Sequence, residues 1–140
     1  MKSLLRMVGV ILVWFAIFSG AKAWGADWRL YFNDSDAQFY YDKESITNSS
    51  ENIVSVWVRE NLTREGIDNA VRALGGKYAD LSYLRILYEI NCRDKKISDL
   101  AFSFYSEQGF LINSKFNNEK QWNFIMSGSM GDFLYRAVCK

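Results

Sequence analysis

Two cysteines constrain this chain more than any other feature. Cys92 stands in "EINCRDKK" and Cys139 in the closing "AVCK". What such a pair can do depends on the compartment, and the first 23 residues bear on that. Lys2 and Arg6 precede an apolar run from Met7 to Phe18, "MVGVILVWFAIF", followed by Ser19, Gly20 and "AKA". A positive start, a short apolar stretch and small residues three and one positions before a cut make up an export signal. Residues 1–23 are therefore expected to be a cleaved signal peptide, with residues 24–140 forming one domain. The apolar run of about a dozen residues falls short of the roughly 20 that span a bilayer. No stable membrane span is expected after cleavage.

In an oxidising compartment, the two thiols are expected to pair. The loop they would close, about 48 residues, corresponds to about 4 kcal/mol in the chain-entropy model. That is a large share of the roughly 5–15 kcal/mol that holds a domain together. The bond would tie a segment otherwise prone to fray to the middle of the fold. A metal site and a redox dithiol are the alternatives. Two thiols in a chain without histidine are a poor metal-ligand set, and redox pairs usually stand in a C-x-x-C spacing.

Charge narrows the partners. Lysine plus arginine number 17 and aspartate plus glutamate 16. Loss of Lys2, Arg6 and Lys22 with the signal leaves 14 basic against 16 acidic side chains, a net of −2. A nucleic-acid binder shows a basic excess or stripe, and none is visible. An aromatic content of 16% instead suits a packed core.

The period of the apolar residues reads as α+β. "WRLYF" (28–32), "QFYYD" (38–42) and "IVSVWVRE" (53–60) alternate as strands do. "NDSDA" (33–37) and "TNSSEN" (47–52) read as polar breaks. From Thr63 to Tyr78 the period changes. Ile67, Ala70, Val71, Leu74 and Tyr78 fall on one helical face, with Thr63 as cap and Gly75-Gly76 as stop. Asp68 and Arg72 are spaced to pair along it. "YLRILYEINC" (83–92), "ISDLAFSFYS" (97–106) and "FLINSK" (110–115), joined by short turns, predict an antiparallel meander. A last helix begins at Ser129, with Asp132 three residues on, and Met130, Phe133, Leu134, Ala137 and Val138 form its apolar face.

Chemical groupings are sparse. Glu60 with Glu65, or Asp42 with Glu44, could be paired carboxylates, but solvated surface explains them better. Ser127 and Ser129 have no histidine to activate them, and a capping role accounts for Ser129. No catalytic residue, cofactor or metal site is expected. Tyr31, Tyr40, Trp57 and Tyr105 occupy the less apolar sides of their strands. They are either interface anchors or, if helices cover both faces of the sheet, ordinary core, and the heavy use of aromatics in cores favours the second reading.

Several stretches together resemble a known family. "FYYDKESI", "VSVWVRE", "YEINCRDKK", "FSFYSEQG" and "WNFIMSGSMGDFLYRAVCK" are similar, in order and spacing, to the surface-adhesin protein E-like family of exported bacterial proteins. One departure lies after Ile125, where Met126, Ser127, Gly128 and Ser129 replace prolines frequent in that family. The resemblance implies a six-stranded antiparallel sheet with packed helices, a Cys92–Cys139 disulfide, and a place in the bacterial periplasm or on the outer surface. It also implies a non-enzymatic module that binds a protein partner, as the founding adhesin binds host matrix and plasma proteins, and a possible homodimer. The other functions weighed are a structural protein acting by self-association and, less favoured, a small hydrolase.

Overall fold

The computed structural model describes residues 25–140; the expected signal peptide lies outside the described residues. The backbone forms an antiparallel sheet and two α-helices. The strands are β1 (Trp28–Asn33), β2 (Ala37–Asp42), β3 (Thr47–Ser50), β4 (Ile53–Leu62), β5 (Leu81–Asn91), β6 (Lys96–Ser106), β7 (Leu111–Phe116) and β8 (Asn123–Phe124). The helices are α1 (Arg64–Leu74) and α2 (Met130–Val138). Six strands make the main path, β1-β2-β4-β5-β6-β7, while β3 pairs with β4 and β8 with β6. The expected α+β sheet with one internal and one C-terminal helix is what the chain adopts. "TNSSEN" is not only a break, however. Thr47–Ser50 pairs with β4 and turns back through Asn52, whose φ of 62° the left-handed region tolerates best in asparagine and glycine.

Alternation decides which side of the sheet carries the core. Along β4, Val54, Val56 and Val58 are buried while Ser55, Trp57 and Arg59 are half-buried on the opposite side. Their cross-strand partners Ile90, Tyr88 and Ile86 in β5 join the same cluster, together with Ile125 and, from α2, Leu134 and Val138. β6 keeps pace through an irregularity opposite Leu87 and Tyr88, which leaves Leu100 unpaired and lets both Ile97 and Phe102 reach the core side.

A hydroxyl caps each helix, as the sequence predicts. In α1 the Thr63 Oγ1 accepts the Gly66 N–H at 3.1 Å, and Gly75, at φ 108°, ends the helix. Tyr78 lies beyond that stop in a 3-10 turn, not on the helix, yet it is buried, with its ring 5.3 Å from Phe104. Asp68 pairs backward with Arg64 at 3.7 Å, whereas Arg72 turns to Asn69. α1 is fastened to the β1–β2 turn: the Thr63 N–H donates to the Asp36 carbonyl at 2.8 Å and the Asn69 amide to its carboxylate at 2.8 Å. Gly66 lies against that same carbonyl, where a Cβ would come to 2.1 Å.

α2 starts at Ser129, whose Oγ accepts the Asp132 N–H at 3.3 Å. Buried Asp132 accepts from the Gly128 N–H at 2.9 Å and pairs with Lys95 at 3.2 Å and Arg136 at 2.9 Å. Those donors, the Gly128 N–H foremost, hold its carboxyl down at about 2. Cys92 and Cys139 are bonded, with Cα atoms 5.6 Å apart. Beside that bond the Tyr135 hydroxyl donates to the Cys92 carbonyl at 3.1 Å. Gly128 makes the turn into α2 at φ 79°.

Candidate functional site

Leu134 and Val138 of α2, and Tyr78 just beyond α1, join the first face of the sheet. On the second face, beside buried Ala101 and Glu89, stands a set of half-buried aromatic and arginine side chains. Antiparallel register lines up Leu30, Tyr40, Arg59, Arg85 and Ser103 across β1, β2, β4, β5 and β6. On one side of this row lie Tyr83 and Tyr105, directly paired and stacked with ring centres 4.9 Å apart at 10°. On the other side lie Trp28 and Trp57. The Arg85 guanidinium is 5.5 Å from the Trp28 ring centre and 5.6 Å from that of Trp57. The Arg59 guanidinium sits 3.9 Å from the Tyr83 ring centre, and its Nε–H donates to the Asn61 side-chain oxygen at 2.7 Å. Guanidinium over an aromatic face is favourable, by roughly 0.5–1 kcal/mol where solvent reaches it.

Two features of this face work against stability. Arg59 and Arg85 are direct cross-strand partners, and like charges so placed repel. Among the described residues neither forms an ion pair with a carboxylate. The Arg85 Nε–H is moreover buried without an acceptor, which carries a desolvation penalty.

Of the four aromatics singled out in the sequence, Tyr40, Trp57 and Tyr105 lie on this face. Tyr31 does not. A register shift between Leu30 and Phe32 makes it the bulged residue of β1 and rotates it into the interior. There its ring meets Phe39 and Tyr41, and its hydroxyl donates to the Met130 sulfur at 3.2 Å. Burial pushes its hydroxyl far above the usual tyrosine range. Leu30 is left outside, 51% exposed. The sequence reading missed Trp28, Tyr83 and both arginines as site residues. Arg59 and Arg85 do alternate with the buried valines and isoleucines of β4 and β5. That they meet depends on register, which alternation alone does not supply.

The other candidate groupings have structural roles. The Asp42 carboxylate accepts the N–H groups of Asp27 and Glu44 at 2.9 and 3.0 Å. Glu65 is exposed in the first turn of α1, while Glu60 points to the core side of β4. Desolvation there, helped by the charge of Asp34, pushes the Glu60 carboxyl up to about 7. Glu89, also buried, is held by Lys120 at 2.8 Å and Ser49 at 3.3 Å. Among the described residues no cluster of three or more His, Cys, Asp or Glu side chains could hold a metal ion, and no helix is long and apolar enough to cross a membrane.

The fold has solved counterparts. Crystal form II of Haemophilus influenzae protein E matches with a TM-score of 0.56 and 21% identity, over 84% of this chain and 94% of that one. A second structure of the same organism's protein E matches at 0.55 and 21%, covering 84% and 90%. Protein E from non-typeable Haemophilus influenzae matches at 0.53 and 19%, covering 86% and 78%. At such identities the likeness speaks for the fold alone. No curated protein matches the sequence. The family match for surface-adhesin protein E, by contrast, runs over residues 28–140, through both helices and both cysteines, and the chain belongs to that family.

Proposed function

We propose that this chain is a non-enzymatic protein-binding module of the bacterial envelope, and that it binds through the face carrying Trp28, Tyr40, Trp57, Tyr83 and Tyr105. The observation behind this reading is the half-buried aromatic and arginine surface on the side of the sheet away from α2. Tryptophan, tyrosine and arginine are the side chains that most often carry the energy of protein interfaces. Membership of an adhesin family, together with the signal-like first 23 residues, supports export to the periplasm or outer surface. Crosslinking in the native cell, with a photoreactive residue at Ser103, at the β6 end of this row and beside Arg85, tests the reading. One dominant crosslinked protein that disappears on Trp57→Ala is expected. Crosslinking only to lipid, or none beyond the level of a probe placed on α1, refutes it.

A second reading has its own observation. The outer edge of β7 and β8 is bordered by Phe110, Leu111, Phe116, Phe124 and Met126, each 56–77% exposed. An open edge with apolar flanks is a template for pairing with another copy. Self-association along β7 would show as a dimer in sedimentation at high micromolar concentration, and Phe116→Lys, which puts a charge among these exposed apolar flanks, would dissolve it. A monomer under those conditions excludes it.

A further inference from the structure

Arg85 is costly where it stands. Its Nε–H is buried without an acceptor, and its charge lies across from that of Arg59, neither arginine being ion-paired with a carboxylate among the described residues. An uncharged side chain of similar length between Trp28 and Trp57 would avoid both costs. We propose that the Arg59–Arg85 pair is an anchoring site for carboxylates, and that the partner bound on this face presents an acidic peptide segment with Asp or Glu next to apolar or aromatic side chains. This rests on the binding-face reading and specifies the chemistry of the partner.

The geometry favours carboxylates on a polypeptide over a free anion or a polyanion. A guanidinium held over a ring keeps its in-plane N–H groups free for the two oxygens of a carboxylate. Arg59 lies over Tyr83 and Arg85 between the two tryptophans, so each cation is drawn to its own aromatic neighbours. A free phosphate needs donors that converge on one point. Two anchors set among rings fit two acidic side chains spaced along a chain. The aromatic set runs from Trp28 in β1 to Tyr105 in β6, across five adjacent strands, or roughly 19 Å at the usual strand spacing. Such a length suits a peptide segment. A sulfated polysaccharide would call for a longer run of cations than two. Pairing with carboxylates at the outer guanidinium N–H groups would also screen the repulsion between the arginines, a cost of the free protein that the complex would relieve.

The test is selection from a random dodecapeptide phage library on the protein exported and purified from its full-length gene, with each selected peptide then assayed on Trp57→Ala and Arg85→Met. Peptides lost on Trp57→Ala should be enriched in Asp and Glu. Their affinity should fall at least about tenfold on Arg85→Met, and equally when their acidic residues become Asn and Gln. Arg85→Met should melt no lower than the parent, which separates loss of a partner from loss of the fold. Should it fail to fold, Arg59→Gln is measured in its place. Trp57-dependent peptides without acidic enrichment, or indifferent to both arginines, overturn the inference and leave the binding face intact. If no selected peptide depends on Trp57, the face itself is in error. A heparin oligosaccharide that binds through Arg85 where no acidic peptide does reassigns the site to sulfated polysaccharide and overturns the peptide partner.

Discussion

Cutting the Cys92–Cys139 bond tests the fold where it is most dependent on one connection. The cysteines are 47 positions apart, and the chain-entropy model then gives about 4 kcal/mol for the constraint the bond places on the unfolded chain. Unfolding entropy near 2.1 cal/mol/K per residue, over the residues 25–140 that are described, converts this into a fall in Tm of about 15 °C. The folded side of the balance should change little. Leu134 and Val138 stay buried against β4 and β5, and the Tyr135 hydroxyl still reaches the Cys92 carbonyl. The assay is calorimetry of the Cys92→Ala/Cys139→Ala double variant beside the parent, each with and without reductant. The parent in reductant should melt with the double variant, and the double variant should ignore reductant. A fall of less than about 5 °C would show that the unfolded chain is already as confined as the bridge makes it, and the entropic argument would fail. Loss of the α2 helical signal at temperatures where the sheet persists would show instead that the bond acts in the folded state.

Three further outcomes follow from single sites. Gly66→Ala should destabilise by roughly 1–3 kcal/mol in urea titration, although alanine is the better helix former by about 1 kcal/mol, because the new Cβ lands 2.1 Å from the Asp36 carbonyl; an unchanged or higher midpoint contradicts the close approach. Glu60 keeps its proton in the folded chain up to about pH 7 but loses it near 4.5 when unfolded, so folding weakens as pH rises between those values and levels off above. Glu60→Gln should match the parent near pH 4 and exceed it near pH 8 by on the order of 3 kcal/mol; an equal gain at both pH values removes the argument. Asp132, held at about 2 in the folded chain against 3.8 unfolded, stabilises above that range and stops doing so as pH falls through it. The gap between parent and Asp132→Asn in acid unfolding should therefore close towards pH 2, and a gap independent of pH would assign the loss to packing.

Much of the fold was legible because a single physical rule governs it locally. The valines of β4 and the alternation of β5 put one side of the sheet in the core whatever the other strands do. Thr63, Gly75 and Ser129 mark helix ends through hydrogen bonds made within four residues. The errors fall where local pattern and neighbouring strands disagree. β1 alternates cleanly in sequence, yet matching β2 on both sides of Tyr31 requires a bulge, and the bulge turns the apparent outer residue inward. Thr47–Ser50 has turn composition, and only the adjacent edge of β4 draws it into a strand. Tyr78 keeps the helical spacing of α1 although Gly75 has ended the helix, because its burial depends on Phe104 in β6.

The aromatic and arginine face was harder to read for a related reason. Each of its members looks ordinary in its own strand: an arginine two places beyond a tryptophan in β4, another between leucine and isoleucine in β5. The unusual feature is a relation between strands, since only the register sets Arg59 against Arg85. The same register gives the sheet two unlike sides. The disulfide, Leu134 and the buried valines concentrate cohesion under α2. The opposite side carries repulsion and an unmet hydrogen bond that the cohesive side must offset. Substitutions should accordingly separate by side. Changes at Val56 or Leu134 should lower stability and, through it, everything else. Changes at Arg59 or Arg85 should spare stability and remove recognition. That division would not hold if the arginines were there to stabilise the sheet, because removing either would then loosen the fold as surely as truncating a core valine.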